Sequence, residues 1–223
     1  MYQRNPMNIE NTRIVLIGAA GLICSHTVEE LLKEPVKEIV VYDNFTRGTW
    51  DNLAKALTDK RVKVVEGDIT HIDVLNSVLK DADGVILFAA LWLRHCYDFP
   101  RAAFEVNIKG TFNVIEACVK NNIQKLVFSS SASVYGDALD IPMTEEHPYN
   151  NRTFYGATKI AGEHMCRAFN ERYGLDYVGL RYMNVYGPRQ DYKATYTTVI
   201  MKVLDRIDQG LASVIYGNAS QEY

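Results

Sequence analysis

Apolar and polar positions fall into two kinds of block along the chain. Short runs rich in β-branched residues read as strands: Arg13–Ile17 (RIVLI), Glu38–Tyr42 (EIVVY), Val62–Glu66, Gly84–Ala90 (GVILFAA), Lys125–Ser129 and Tyr177–Arg181. Between and after them lie stretches with apolar residues at helical spacing. These are Gly21–Lys33, with its stripe of Val28, Leu31 and Leu32, then His71–Lys80, Phe104–Asn121, Tyr155–Tyr173 and Thr195–Gln209. Strands apolar on both faces and separated by helices predict an α/β fold, a doubly wound parallel sheet with helices on both faces. No internal repeat, low-complexity stretch or Pro/Gly linker interrupts the pattern. Two irregular segments, Ser130–Phe154 and Tyr186–Ala194, follow strand C-termini, where open parallel sheets bind ligands.

Composition narrows the class. The chain has 223 residues, 48% of them hydrophobic, and a formal net charge of −3. That excludes disorder and argues against a general nucleic-acid binder. The longest apolar run, Val85–Leu93, is far short of the roughly 20 residues a membrane helix needs. The polar segment Met1–Thr12 lacks a signal peptide's apolar core. The expectation is a cytoplasmic protein without nucleic-acid or membrane partners. Cys24, Cys96, Cys118 and Cys166 lie far apart with no CxxC pair, which predicts free thiols, no disulfide framework and no metal site. His71, His95, His147 and His164 stand alone, and surface or capping roles are expected for them.

Chemistry enters at the first strand-to-helix turn, Gly18-Ala19-Ala20-Gly21-Leu22-Ile23-Cys24. Backbone N–H groups and the helix dipole there can hold a pyrophosphate. Gly18 permits the tight turn and Gly21 the close backbone approach. Asp43 ends the second strand, 25 residues after Gly18. A carboxylate at that point can accept hydrogen bonds from the adenosine ribose hydroxyls and repels a 2′-phosphate; an Asx turn in the sequence DNFTRG is compatible with the same role. Asp68, ending the third strand, is a candidate adenine contact, or else the N-cap of the next helix.

Tyr155 and Lys159 stand four apart on one helix face, after a long loop. Tyrosine is a poor base at neutral pH unless a cation lowers its pKa from about 10, and the Lys159 ammonium is expected to do so. One such pair is about what chance supplies in a tyrosine-rich chain, so position gives it weight. The loop opens with Ser129, Ser130, Ser131 and Ser133, any of which could bond a substrate oxygen and assist proton transfer.

IGAAGLICSH, YDNFTRG, EGDIT, FSSSASVYG, YGATK and RYMNVYGPRQ occur in that order. Together they resemble the extended short-chain dehydrogenase/reductase family, in its NAD-dependent sugar-nucleotide epimerase/dehydratase branch, from Arg13 onward. The resemblance implies a Rossmann-type NAD-binding domain over residues 1–185. Residues 186–223 would begin a smaller sugar-nucleotide-binding lobe, much of it missing from this chain. It implies NAD as the cofactor, a nucleotide-sugar substrate and a homodimer. Gly18, Gly21, Leu22 and Ile23 would hold the pyrophosphate, Asp43 and Asn44 the adenosine ribose, and Asp68 and Ile69 the adenine. Ala89, Ala90, Asn107 and Ser129 would line the cofactor channel, with Tyr182 and Met183 by the nicotinamide. Ser131 would be the serine partner that meets the substrate, Tyr155 the acid/base and Lys159 its electrostatic support. Asn184 would lie by the substrate diphosphate.

Three departures stand out. Cys24 replaces the usual third glycine, where a side chain would press on the helix–strand contact. Trp92 stands where some members have a lysine reaching the cofactor. Ala132 and Ser133 follow Ser131, where dehydratases of the branch carry Asp-Glu and decarboxylases carry a Glu at the Ser133 position. By elimination epimerisation is favoured within this branch, and the resemblance implies that it acts at C4 of a nucleotide sugar, a UDP-sugar first. The alternatives are a 4,6-dehydratase or decarboxylase of the same branch, or a catalytically idle NAD-binding module.

Overall fold

The structure is a computed structural model and describes residues 6–190, 198–212 and 214. In chain order its elements are β1 (Arg13–Ile17), α1 (Leu22–Leu31), β2 (Glu38–Asp43), α2 (Trp50–Leu53), β3 (Val62–Glu66), α3 (Ile72–Leu79), β4 (Gly84–Leu87), α4 (Leu93–Asp98), α5 (Pro100–Ala103), α6 (Thr111–Lys120), β5 (Lys125–Ser131), α7 (Phe154–Tyr173), β6 (Tyr177–Tyr182) and α8 (Val199–Asp208). The six strands are all parallel, in the order β3-β2-β1-β4-β5-β6. The order turns outward in both directions from β1 and β4, which places the crevice of a doubly wound sheet at the C-terminal ends of those strands.

Alternation along the strands builds two cores. Val15, Ile17, Val40, Tyr42, Val85, Leu87, Leu126 and Phe128 face Leu75 and Leu79 of α3, Val114, Ile115 and Cys118 of α6, and Cys166 of α7. Ile14, Leu16, Ile39 and Val41 face the other way, onto Cys24 and Val28 of α1 and Leu53 of α2. Cys24 is thus absorbed in the core beneath α1, beside Ala19 and Ala20. All four cysteines are buried and free.

Several expected boundaries move, each for a local reason. The strand expected over Gly84–Ala90 stops at Leu87, because the N–H groups of Phe88 and Ala89 both donate to the Ile17 carbonyl and the chain leaves the sheet. β5 runs two residues beyond Ser129, since Ser130 and Ser131 pair with Arg181 and Tyr182. The helix expected over Phe104–Asn121 divides into a wide π-helical turn, Phe104–Gly110, and α6. The short helices α2, α4 and α5 occupy stretches without a helical pattern of their own. The start of the helix expected from Thr195 lies outside the described residues, as do residues 191–194 of the second irregular segment. Within the first irregular segment, Ala132–Val134 forms a single 3-10 turn.

The chain divides into two compact units, Met1–Met183 and Asn184–Tyr223. In the second unit α8 buries none of its residues. Among the described residues no helix is long and apolar enough to cross a membrane.

α7 begins where the Thr153 hydroxyl accepts the Gly156 N–H at 3.0 Å, and it ends at Gly174 in a left-handed conformation, φ 74°. Midway, Gly162 lies against the Phe128 ring of β5, so close that a Cβ would overlap the ring. Gly162→Ala gains helix propensity but forces α7 off β5. The net cost should be on the order of 1–2 kcal/mol, roughly 2–8 °C in Tm, read by a thermal melt. An unchanged or raised Tm would mean that the α7–β5 contact yields easily.

Candidate active site

The turn after β1 is shaped by one close approach. Gly18 sits at φ +80°, and a Cβ on it would lie 2.5 Å from the Ala89 nitrogen. Gly21 then caps α1 with an extended backbone and no side-chain cap, and the first turn carries no acidic residue. The leading N–H groups of α1, at Leu22 and Ile23, therefore meet no competing carboxylate, and with the helix dipole they suit an anion.

Asp43 is buried at the end of β2. Its Oδ2 accepts the Ala20 N–H at 2.8 Å and its Oδ1 accepts the Phe45 N–H at 2.9 Å. The carboxylate thus ties the glycine turn to β2 and also closes an Asx turn. Burial pushes its pKa up against the pull of these backbone N–H groups. Each oxygen retains a lone pair, so a ribose hydroxyl can still be bound. Asn44 donates to Asp68 Oδ2 at 2.7 Å, which joins the ends of β2 and β3. Asp68 Oδ1 accepts both the N–H and the hydroxyl of Thr70, at 2.8 and 2.7 Å. The N-cap position of α3 falls instead on His71, so Asp68 closes a turn ahead of the helix. Partial burial raises the Asp68 pKa, but the Thr70 and Asn44 hydrogen bonds outweigh it and hold the group below the usual carboxylate range. Ile69 is buried beside this turn, against Gly110.

On the other side of the crevice, Ala89 and Ala90 are half-buried after β4. Asn107 is buried in the π-helical turn, with its amide fully committed. It accepts the Leu91 N–H at 2.7 Å and donates to the Leu91 carbonyl at 2.9 Å. It therefore fixes the loop after β4.

The third group gathers where β5 meets α7. Tyr155, Lys159 and Glu163 recur every four residues on α7, and each engages one of three consecutive serines. The Tyr155 phenol interacts with the Ser131 hydroxyl, which offsets part of the burial penalty on its ionised form. Lys159 Nζ, buried, donates to the Ser129 carbonyl at 2.7 Å. Glu163 Oε1 accepts the Ser130 hydroxyl. Glu163 also pairs with Arg181 of β6 at 2.8 Å and accepts the Tyr149 hydroxyl at 2.7 Å, which pins the long loop. Sequence reasoning missed Glu163, Arg181 and Tyr149. The helical interval after Lys159 was the signal for Glu163, but the loop contact made by Tyr149 has none. His147, for which a surface or capping role was expected, is buried in that loop, where its Nε2 accepts the backbone N–H of Leu139 at 2.9 Å. The Ser133 hydroxyl is buried without a partner, next to Ser131. Tyr182 stacks on Phe88 at 5.7 Å across the ends of β6 and β4. Met183 is exposed, and Asn184, also exposed, is the first residue of the second unit.

One electrostatic expectation is corrected. Lys159 does not pull the Tyr155 pKa down here. Burial pushes the phenol up, the Ser131 hydrogen bond offsets this only partly, and Cys96 raises it further. The ammonium is directed at the Ser129 carbonyl, 5.7 Å from the tyrosine ring centre. Lys159 itself is driven down to about 8 by burial, with Cys96 opposing.

Comparison with known proteins now places the chain. The profile of the NAD dependent epimerase/dehydratase family matches residues 14–223. A putative UDP-glucose 4-epimerase of Methanocaldococcus jannaschii is 34% identical over 211 residues, 93% of this chain and 67% of that protein. Among solved structures, the UDP-N-acetylglucosamine 4-epimerase of Methanobrevibacter ruminantium M1, in complex with UDP-N-acetylmuramic acid, superposes with a TM-score of 0.89 at 36% identity. The match covers 95% of this chain and 67% of that one. A dTDP-glucose 4,6-dehydratase from Streptomyces venezuelae, with NAD bound, gives a TM-score of 0.82 at 30% identity, over 89% of this chain and 62% of that one. The chain thus spans about two thirds of these relatives.

The buried lysine makes a testable claim. With its pKa lowered to about 8 in the folded chain and about 10.4 when unfolded, Lys159 binds fewer protons folded than unfolded between those values. Its contribution to stability should therefore rise as pH increases from about 8 to about 10. Urea unfolding of the chain and of Lys159→Met at several pH values isolates this rise as their difference. A flat difference would mean that the amine titrates as it does in water.

Proposed function

Because the chain belongs to the NAD dependent epimerase/dehydratase family, we propose that it binds NAD at the β1–α1 turn and serves the epimerisation of a nucleotide sugar at C4, most simply a UDP-sugar. The observation that carries this reading is the convergence of Ser131, Tyr155 and Lys159 at the sheet end that also carries the glycine turn and Asp43. The residues fit the cofactor: an uncapped helix N-terminus free of acid for the pyrophosphate, and a buried, oriented carboxylate for the ribose. When bound, NAD supplies a hydride acceptor and donor and a positively charged ring.

The chain's own groups handle the proton. Tyr155 takes it from the sugar hydroxyl as that carbon is oxidised to a ketone, and returns it when the hydride comes back. The Ser131 hydroxyl, bonded with the phenol, holds the same substrate oxygen. Lys159 braces the strand end through Ser129 and keeps a cation within reach of the phenol. Burial raises the Tyr155 pKa, so a positively charged ring bound beside the phenol would be what favours the phenolate. Dehydration needs a further acid to expel water, and Ala132 and Ser133 supply no carboxyl there. This favours epimerisation over the chemistry of the dehydratase relatives. A homodimer through the outer faces of α6 and α7 fits their exposed aromatic residues Phe112 and Tyr173.

Two expectations follow. Asp43 should make the chain prefer NAD over NADP by roughly tenfold to a hundredfold, because a 2′-phosphate would meet a buried carboxylate. Calorimetric titration with both cofactors checks it, and equal affinities would remove Asp43 from the ribose site. Tyr155→Phe should retain NAD affinity while lowering epimerase turnover by about 10² or more. The assay follows interconversion of UDP-glucose and UDP-galactose, and an undiminished rate would assign the proton to another group.

A further inference from the structure

The end of β5 that carries the site is paired on one side only. β4 pairs with β5 as far as Phe128, while β6 stays paired with it through Ser131. Beyond Phe128 the only strand neighbour of β5 is therefore β6, the edge strand of the sheet. Fewer ladder hydrogen bonds hold such a strand end in place. Ser131 is its last residue. The Ser131 hydroxyl accepts the Ser133 N–H at 3.2 Å and meets the Tyr155 phenol. Neither partner anchors it to the fold, because Ser133 belongs to the loop that the strand leads into and the phenol is the reacting group.

The anchor lies one residue back. Glu163 Oε1 accepts the Ser130 hydroxyl, and also the Arg181 Nε–H at 3.0 Å. Glu163 Oε2 accepts an N–H from Arg181 Nη2 at 2.8 Å and the Tyr149 hydroxyl at 2.7 Å. Each carboxylate oxygen thus takes two donors, which fills its lone pairs. Arg181 is also the register partner of Ser130 between β5 and β6. One carboxylate from α7 therefore grips both strands at the level of the site. The side chains of Arg181 and Glu163 are only 18% and 14% exposed, so salt and water screen the pair little. Burial raises the Glu163 pKa, but its bonds to Arg181, Ser130 and Tyr149 outweigh this and hold it below the usual carboxylate range. The other face of the clamp is the long loop. Arg181 donates to the Glu145 carbonyl at 3.0 Å and lies 4.9 Å from the centre of the Tyr135 ring.

We infer that Glu163, paired with Arg181, is a positioning residue that acts through Ser130 to set where the Ser131 hydroxyl stands against the Tyr155 phenol. The inference rests on the proposed roles of Ser131 and Tyr155 in proton transfer. α7 then carries both the phenol and, two turns on, the strut that aims its serine. A shift in the spacing of α7 and β5 moves strut and phenol together, so their mutual geometry is kept. Loss of the strut leaves Ser131 to the loop, and misplacement of a reacting group by about 1 Å can cost on the order of 10² in rate.

The decisive measurement needs no turnover. With carbon-13 at Cζ of the tyrosines, NMR of the full chain identifies the Tyr155 resonance by its loss in Tyr155→Phe. Ser131→Ala should displace that resonance at neutral pH, because the phenol loses its hydroxyl neighbour. Glu163→Gln should displace it in the same direction, and should add nothing in a Ser131→Ala background. Ser130→Ala keeps the ion pair with Arg181 and should give a smaller displacement of the same sign; it decides the matter if Glu163→Gln fails to fold, as a thermal melt will tell. Arg167→Ala removes an exposed ion pair with Glu171 on the same helix and should leave the resonance in place. In an assay with UDP-glucose, Glu163→Gln should lower kcat about tenfold or more while KM and NAD affinity hold. The positioning role is overturned by an unmoved Tyr155 resonance in folded Ser130→Ala or Ser131→Ala. It is equally overturned by a Glu163→Gln displacement that is the same with and without Ser131, or by an equal displacement in Arg167→Ala. An unsubstituted chain that neither binds NAD nor turns over substrate would overturn the functional reading, while the resonance would still report whether Glu163 aims Ser131.

Discussion

The candidate site depends on the contact between one strand end and one helix face. Three serines in succession close β5, and α7 meets them with three side chains spaced one turn apart. Tyr155 meets Ser131, Lys159 meets the Ser129 carbonyl, and Glu163 meets Ser130. Because a helix turn and a strand residue advance by different distances, this matching exists in only one register. Gly162 lets the helix come close enough for short hydrogen bonds to form. A shift of α7 by one residue would break all three contacts together.

The cost of that contact is electrostatic. Lys159 is held in a place where its ammonium is poorly solvated, and Asp43 is likewise buried at the far side of the crevice. Neither has a side chain of opposite charge as its partner among the hydrogen bonds described. Backbone groups hold both: a carbonyl for the cation and two amides for the anion. The site is thereby built with charges whose geometry is set by main chain, which does not reorient when a ligand enters. Such fixed dipoles are what electrostatic stabilisation in enzymes requires.

The strand pattern made the fold legible because both faces of the sheet are covered, so every strand is apolar throughout and the helices between them are long. Glycines in the first turn, and an acid at the end of the second strand, were readable because backbone approach and charge demand those residue types. The Tyr155–Lys159 spacing was readable for the same reason. What the sequence did not yield were effects made by tertiary packing. The length of β5 depends on its pairing with β6, which no local pattern encodes. The pKa of Tyr155 depends on how deeply α7 sinks against the sheet and on where Lys159 points, and helical spacing could not give that direction. Asn107 was placed in the cofactor channel as a lining residue, and its grip on Leu91 had no local signal in the sequence.

The π-helical turn at Phe104–Gly110 has a bearing on how this chain tolerates change. A π turn holds one more residue than an α turn, and here that surplus lies just where Asn107 reaches back to Leu91, Cys96 and Thr158. Downstream, α6 keeps its ordinary register against the core. The surplus residue is therefore a local accommodation, the shape left when one amino acid is added to a helix whose two ends are both held. Losing it again would rotate everything before it by about 100° relative to α6 and carry the asparagine off the loop it grips.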